Sequence, residues 1–228
     1  MNDSSKTINM TASNEGEILL NDTIDGQSGY TLALNGDNKS KITINNNVNN
    51  ANITLDNTNL YIGREDVFNN SIALSLNSGT MYLNNNTIGT MHVPTLNLNG
   101  NTDLYVDVDL ANESMDRVTA DTYNVSDNAI LNVKDLNLIS TTEKENVKIL
   151  FADEPIANNV EYTGTSPVSY KGTNIIYSPI YKYTVNYGVD ENDKQGYFFF
   201  NKATAGIGDG SGSDIGGGAA GNISDSFN

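Results

Sequence analysis

The chain has 228 residues, and its 28 acidic side chains against 12 basic ones give a formal net charge of −16. This charge repels nucleic acid and anionic lipid, the length allows one sizeable core with a tail, and no apolar run is long enough for a membrane-spanning helix. With no cysteine and a single histidine, His92, thiol chemistry, disulfide frameworks and multi-histidine metal sites are excluded, and we expect no cofactor and no metal. Residues Met1 to Thr11 lack the pattern of an export signal.

Asparagine makes up about one residue in six, several times its usual share. Its side-chain amide competes with helical hydrogen bonds, and the residue tolerates the left-handed conformation of tight turns. This composition disfavours helices and predicts strands joined by asparagine-rich corners.

A short phrase of two apolar residues flanking one other residue, followed by Asn or Asp, recurs at a period of about 21 residues. A second phrase trails the first by about 7 to 10 residues, which indicates two short strands in each repeat. The first phrase is Leu32–Leu34, Ile53–Leu55, Leu74–Leu76 and Leu96–Leu98, and the second is Ile42–Ile44, Leu60–Ile62, Met81–Leu83 and Leu104–Val106.

Each phrase alternates inward and outward side chains, as β-strands do. A unit of about 21 residues cannot close a core by itself, whereas units stacked at about 4.8 Å bury a continuous apolar column. The sequence therefore predicts an all-β fold, a parallel β-helix or β-solenoid. The corner residues Asn35, Asp56, Asn77 and Asn99 then lie above one another, and we expect an amide ladder that Asp56 interrupts.

A leucine-rich repeat has a similar period, and Leu96, Leu98, Asn101 and Leu104 can be placed on its consensus. That fold needs a helical or tightly turned apolar segment in every unit. Intervals such as Asn84 to Thr90 are mostly Asn, Thr and Gly, which favours the β-solenoid.

The segment Asp103 to Leu110 has a strictly alternating pattern, with Asp103, Tyr105, Asp107 and Asp109 on the face opposite its apolar residues. Carboxylates two residues apart along a strand are about 7 Å apart, too far to share a calcium ion without loop ligands. We expect a solvated acidic face.

Asp107 and Asp109 also support an alternative function, a polysaccharide-degrading β-helix enzyme, because glycoside hydrolysis uses two carboxylates about 5 to 9 Å apart. Against it, the chain has no tryptophan to stack a sugar, and its only arginines are Arg64 and Arg117. We therefore expect no enzymatic activity.

Aromatic residues accumulate near the C-terminus, where Tyr181, Tyr183 and Tyr187 share one face of a predicted strand. Turn residues between Asn186 and Gly196 predict a hairpin that returns as Tyr197 to Phe200. Such a hairpin can cover the end of a solenoid, whose last turn otherwise exposes strand edges and apolar core. The predicted core of this cap is Tyr177, Tyr181, Tyr183, Tyr187, Tyr197 and Phe199.

The predicted organisation has three parts. Residues 1–109 form solenoid turns, residues 110–202 form the last turns and the cap, and residues 203–228, rich in Gly, Ala and Ser, form a flexible linker. A linker in this position leads us to expect that the natural chain continues beyond it.

The C-terminal half resembles the end of the passenger region of Gram-negative autotransporters of the pertactin-like class. The resemblance covers about Asp103 to Lys202 and rests on degenerate motifs. These are Val106–Leu110, Met115–Ala120, Val147–Phe151, Tyr177–Tyr183 and Gly196–Phe200.

This resemblance implies a secreted, right-handed β-helix at the cell surface, whose C-terminal segment acts as an autochaperone. It also implies an outer-membrane β-barrel translocator in the same full-length chain, and a host-surface protein or a glycan as ligand. The expected function is thus a non-catalytic, surface-displayed stalk whose cap nucleates folding.

Overall fold

The computed structural model of the protein describes residues 6–163, 174–178 and 180–203. Strands dominate these residues, and the one helix among them, α1 (Glu154–Ala157), has four residues. The parallel strands stack as a β-solenoid of about five turns, so the predicted fold class is confirmed. The helical segments of a leucine-rich repeat do not occur in the described turns.

The turns of the solenoid place their strands in two parallel sheets. Sheet A contains, in spatial order, β1 (Thr7–Thr11), β3 (Ile24–Asn35), β5 (Val48–Asp56), β7 (Ala73–Leu76), β9 (Thr90–Leu98) and β12 (Arg117–Val125). Sheet B contains β2 (Glu17–Leu20), β4 (Lys41–Ile44), β6 (Asn59–Ile62), β8 (Gly79–Tyr82), β10 (Thr102–Asp109), β13 (Leu131–Ser140) and β15 (Val160–Tyr162). The short strand β11 (Ser114–Met115) pairs antiparallel with β10.

The two phrases of the sequence repeat stack in register, one in each sheet. In sheet A, Leu34 lies beside Leu55, followed by Leu76 and Leu98. In sheet B the corresponding file is Ile42, Leu60, Met81 and Leu104. All eight side chains are almost completely buried, so the two files form opposite walls of one apolar column.

The first turn shows why a single turn cannot shelter its own apolar side chains. Ile8 in β1 is in register with Leu32 and, one turn further, with Ile53. Ile8 is 48% exposed, whereas Leu32 is 2% and Ile53 is 0% exposed. Burial of an apolar side chain contributes about 1.5–3 kcal/mol, and here it requires a neighbouring turn on each side.

Asparagines occupy the corners, as their abundance predicts. Five of the non-glycine residues with positive φ in the described chain are asparagines, namely Asn14, Asn38, Asn50, Asn57 and Asn86. At the start of β8 the corner needs glycine instead, because a Cβ on Gly79 would lie 2.5 Å from the carbonyl oxygen of Thr58, and its φ is +108°.

The predicted corner ladder forms between two of its four members. The Nδ2 of Asn99 donates to Oδ1 of Asn77 at 3.0 Å. Asp56 interrupts the file, as expected, and its carboxylate accepts a hydrogen bond from the Ser78 hydroxyl at 2.6 Å. The Asn35 amide bonds the carbonyl of Ala33 in its own strand.

A third sheet, called here the cap sheet, is antiparallel. Its order is β14 (Asn146–Ala152), β18 (Gly196–Ala203), β17 (Lys182–Val189) and β16 (Asn174–Tyr177). The predicted aromatic hairpin is the β17–β18 pair. Apart from Ala203, which ends β18, the predicted linker 203–228 lies outside the described residues.

Candidate functional site

The cap sheet joins the end of the solenoid through aromatic contacts. The Phe198 ring lies 5.5 Å from that of Tyr162, in the last strand of sheet B, and the two rings meet edge to face. Phe198 also contacts Phe151 of β14, with 5.3 Å between centroids. Aromatic pairs of this geometry stabilise beyond the area that they bury, so this cluster fastens the cap to the last turn.

The buried face of the hairpin contains Tyr183, Val185, Phe198 and Phe200, all with no exposed surface. The Tyr183 hydroxyl donates to the carbonyl oxygen of Thr142 at 2.7 Å and accepts from its backbone N–H at 3.1 Å. A buried phenol needs such partners, and here they bind the hairpin to the segment before β14.

Tyr187 lies at the rim of this face, partly buried. Its hydroxyl donates to the carbonyl oxygen of Ala157 in α1 at 2.7 Å, and its ring meets Phe151 edge-on at 6.5 Å. Burial raises the pKa of Tyr187. Tyr187 therefore connects the hairpin to α1.

Tyr197 and Phe199 lie on the opposite, outer face of β18, which corrects the prediction that they belong to the core of the cap. The Lys148 ammonium lies 3.8 Å from the Tyr197 ring centroid and 5.9 Å from that of Phe199. Lys148 also pairs with Asp190 at 2.7 Å, which lowers the pKa of Asp190 to about 2. The residues of β18 that fill the core are Phe198 and Phe200.

Tyr181 and Tyr177 complete the predicted set. Tyr181 is partly buried against the core, its hydroxyl reaches Oε1 of Glu143 at 3.3 Å, and the Lys202 ammonium lies 4.3 Å from its ring. Tyr177, the last residue of β16, pairs through its backbone with Lys182 of β17, and the Tyr177 side chain lies outside the described part of the structure.

A polar joint between solenoid and cap was not predicted from the sequence. Arg117 in β12 binds Oδ1 of Asp153 at 2.6 Å and the carbonyl oxygen of Phe151 at 3.2 Å. The Tyr123 hydroxyl donates to Oδ2 of the same aspartate at 2.5 Å, and burial, together with this carboxylate, raises the pKa of Tyr123. Asp153 precedes α1, so the joint fixes the point where the chain leaves β14.

The acidic strand β10 differs from the solvated face expected for it, because Asp107 is fully buried. Its Oδ2 accepts the backbone N–H groups of Asn86 at 2.5 Å and Thr87 at 3.1 Å, and its Oδ1 accepts the amide of Asn137. A loop from the preceding turn thus covers the carboxylate, which the local sequence of β10 does not reveal.

The burial of Asp107 argues against Asp107 and Asp109 as the two carboxylates of a polysaccharide-degrading site. Asp109 is partly exposed, but its carboxylate is hydrogen-bonded by Ser140 and Asn112, and these bonds lower its pKa. Since Asp107 is closed to solvent, the two carboxylates do not face each other across an open cleft as a glycosidase requires.

Asp116 is a second buried carboxylate beside Asp107. Its Oδ2 accepts the backbone N–H of Asp107 at 2.7 Å, and its Oδ1 accepts that of Gly89 at 2.9 Å. Burial is the largest cause that raises its pKa to about 7, and the charges of Asp107 and Glu65 act in the same direction. Together the two aspartates hold the 86–89 loop against β10.

Three tyrosines form a ladder on the outer side of sheet B. The rings of Tyr61 and Tyr82 stack at 4.1 Å, and those of Tyr82 and Tyr105 at 4.6 Å. Lys41 lies 4.6 Å from the centroid of Tyr61. Because the rings stack face to face between neighbouring strands, the ladder stabilises successive turns.

Other chemistry is sparse among the described residues. They contain no group of three or more His, Asp or Glu side chains arranged to hold a metal ion. His92 is 3.4 Å from the Thr119 hydroxyl and 3.7 Å from Asp121. No described helix has the length and apolar character needed to cross a bilayer.

Comparisons with known proteins returned no match to any family model, curated protein or solved structure. The resemblance to autotransporter passengers therefore stays a prediction from the sequence.

Proposed function

We propose that the chain is a non-catalytic, surface-displayed stalk of the autotransporter passenger type, in which the aromatic cap nucleates folding of the solenoid. In this proposal the stalk lies outside a Gram-negative outer membrane, attached to a β-barrel translocator in the same full-length chain. The observation that carries the proposal is the cap sheet itself, which is antiparallel, rich in aromatic residues and bonded to the last solenoid turn.

The hairpin of the cap suits a folding nucleus because a short turn joins its two strands, whereas β14 pairs with β18 from farther away along the chain. The β17–β18 hairpin pairs residues close in sequence, from Lys182 with Ala203 to Val189 with Gly196. Closing the chain between Val189 and Gly196, seven positions apart, costs less loop-closure entropy than the parallel pairing of the turns, whose partners are at least 18 positions apart, as Lys41 and Asn59 are. Once the hairpin presents Phe198 and Phe200, turns can add to it one at a time.

Folding of the turns outside the membrane can also drive export in one direction. Outside a membrane no nucleotide is available as an energy source, and a chain that adds turns to a nucleus cannot easily slide back. The lack of cysteine is consistent with passage of an unfolded chain through a narrow pore.

The test compares two buried phenylalanines, Phe198 in the cap and Phe68 in the third turn, both with no exposed surface. We expect Phe198→Leu to slow refolding, because the cap is formed in the transition state, and Phe68→Leu mainly to speed unfolding. Stopped-flow refolding and unfolding in urea measure both rates. A slower refolding of Phe68→Leu with normal refolding of Phe198→Leu would place the nucleus in the turns and refute the proposal.

Display is tested separately in cells. The chain is placed between an export signal and an outer-membrane β-barrel, and surface exposure is measured by protease digestion of intact cells. We expect Phe198→Leu to reduce the exposed fraction and Phe68→Leu to leave it nearer to that of the parent. Equal surface exposure of the parent and both variants would show that the cap does not promote export.

A further inference from the structure

Outward side chains in the C-terminal parts of the sheet A strands form three files that run along the solenoid axis, called here the sheet A face. The first file is Thr7, Thr31, Asn52, Ala73, Thr95 and Thr122, the second is Asn9, Ala33, Thr54, Ser75, Asn97 and Asn124, and the third is Thr11, Asn35, Asp56, Asn77 and Asn99. Neighbours are spaced at about 4.8 Å between turns and about 7 Å along a strand.

The sheet A face is almost uncharged in a chain of net charge −16. Asp56 is the one charged side chain in the three files, and its carboxylate accepts a hydrogen bond from Ser78. The exposed Asp25 and Asp121 lie in earlier parts of β3 and β12, outside the three files. The outward side of sheet B is different, since charges recur along it. They are Glu17, Lys41, Asp103, Asp135 and Glu161. The near-absence of charge is therefore a property of the three files and not of the protein surface in general.

Hydrogen bonds between turns hold the polar side chains of this face in place. The amide of Asn97 donates to the Ser75 hydroxyl at 2.9 Å, and the amide of Asn124 donates to Oδ1 of Asn97 at 2.8 Å. Each asparagine amide has two donors and a carbonyl with two lone pairs, so it keeps hydrogen-bonding capacity for a ligand. Side chains that are already ordered lose less entropy on binding.

The chemistry of the sheet A face selects among ligand classes. Protein interfaces concentrate aromatic residues, Met and Arg at their centre, and none of these lies in the three files. Nucleic acids and acidic polysaccharides are repelled by the acidic chain. A neutral polymer of hydroxyl groups matches both the lack of charge and the regular supply of amides and hydroxyls.

We propose that the sheet A face binds a neutral polysaccharide that lies along the solenoid axis, with each turn contributing one row of hydrogen bonds. Each bond contributes only about 0.5–1.5 kcal/mol, so affinity depends on several turns acting together. Long polysaccharides should therefore bind and short oligosaccharides should not. The inference concerns the folded chain alone and does not depend on its display at a cell surface.

The experiment measures retardation of the purified chain in native gels that contain dextran, galactomannan, xylan, laminarin or hydroxyethylcellulose, with alginate as the anionic comparison. Thr54→Lys places a long cation at the centre of the sheet A face. Thr80→Lys is the matched control, an outward threonine on sheet B in the next turn. Far-ultraviolet circular dichroism and thermal unfolding check that both variants fold.

We expect at least one neutral polysaccharide to retard the parent chain, with about a tenfold loss of affinity in Thr54→Lys and less than a twofold change in Thr80→Lys. Three results overturn the proposal. They are no retardation by any neutral polysaccharide, an equal loss in both variants, or retardation by alginate alone.

Discussion

At the scale of single residues, two aspartates near the acidic strand have opposite electrostatic settings. Asp109 is partly exposed and its carboxylate accepts hydrogen bonds from Ser140 and Asn112, which lower its pKa. Asp116 is buried beside Asp107, and loss of solvent raises its pKa to about 7. The hydrogen bonds of Asp109 thus favour its charged form in the folded state, and the burial of Asp116 favours its neutral form.

Because the pKa of Asp116 is raised to about 7, the folded state holds this proton up to about pH 7, whereas the unfolded chain releases it near the ordinary aspartate pKa of 3.8. Between these values the folded state binds more protons, so the contribution of Asp116 to stability falls as the pH rises. We expect the free energy of unfolding of the parent, minus that of Asp116→Asn, to decrease between pH 4 and pH 7. Urea unfolding at several pH values measures this difference.

The control for this prediction is Asp109→Asn, where the sign is reversed. A lowered pKa contributes stability above the unfolded pKa, and this contribution is lost as the pH falls through the folded value. The difference between the parent and Asp109→Asn should therefore be constant from pH 5 to pH 7 and shrink in more acidic solution. A difference for Asp116→Asn that is also flat from pH 4 to pH 7 would contradict the assignment.

At the scale of elements, the strands of the solenoid could be predicted because two signals coincide. A period of two marks each strand and a period of about 21 marks each turn, and Leu34 and Leu55 satisfy both. The hairpin was predictable from its turn residues. The run Tyr197 to Phe200 has no alternation, so the choice of Phe198 and Phe200 as core depends on the register of β18 with its neighbours.

The candidate site depended on contacts between distant parts of the chain, and these were harder to predict. The alternation of apolar and polar residues in β10 predicts that Asp107 is exposed, yet a loop from the previous turn covers its carboxylate. The joint of Arg117 with Asp153 links residues 36 positions apart and leaves no periodic signal. Repeats predict the turns because they recur, whereas a single joint occurs once.

The joint between solenoid and cap can be tested with the two arginines of the chain. Arg117 and Asp153 are largely buried, with 21% and 27% of their side chains exposed, and Arg117 also bonds a backbone carbonyl. We expect Arg117→Met to lower the free energy of unfolding by about 1–3 kcal/mol, because Asp153 then keeps a desolvated charge without its cation. Hydrogen exchange should increase in β14 and α1 before it increases in the turns.

Arg64→Met serves as the matched control. Arg64 pairs with Asp66 at 2.6 Å, but both side chains are about half exposed. An exposed pair contributes about 0–1 kcal/mol, so this substitution should change stability little and leave exchange in β14 unaltered. Equal losses from the two substitutions would show that Arg117 is no more important than a surface charge.

At the scale of the whole molecule, the solenoid is close to a one-dimensional array whose two ends differ. The C-terminal end is covered by the cap sheet, and the first described turn has a neighbour on one side only. The partial exposure of Met10, Ile18 and Leu20 agrees with this difference, since their partners in the next turn are buried. Stability in such an array is a sum over turns and their interfaces, so it should be lowest in the first turn.

This gradient predicts different costs for one substitution at two places in the same file. Ile8 and Ile53 occupy equivalent positions two turns apart, and they are 48% and 0% exposed. Ile53→Ala removes a side chain packed on both sides and leaves a cavity, so it should cost about 2–5 kcal/mol. Ile8→Ala should cost less than about 1 kcal/mol, because much of its surface is already in water. Chemical denaturation gives both values, and hydrogen exchange should show β1 and β2 opening ahead of β5 and β6 in the parent chain. Similar costs at the two positions would contradict the gradient, because they would show that Ile8 is packed as fully as Ile53.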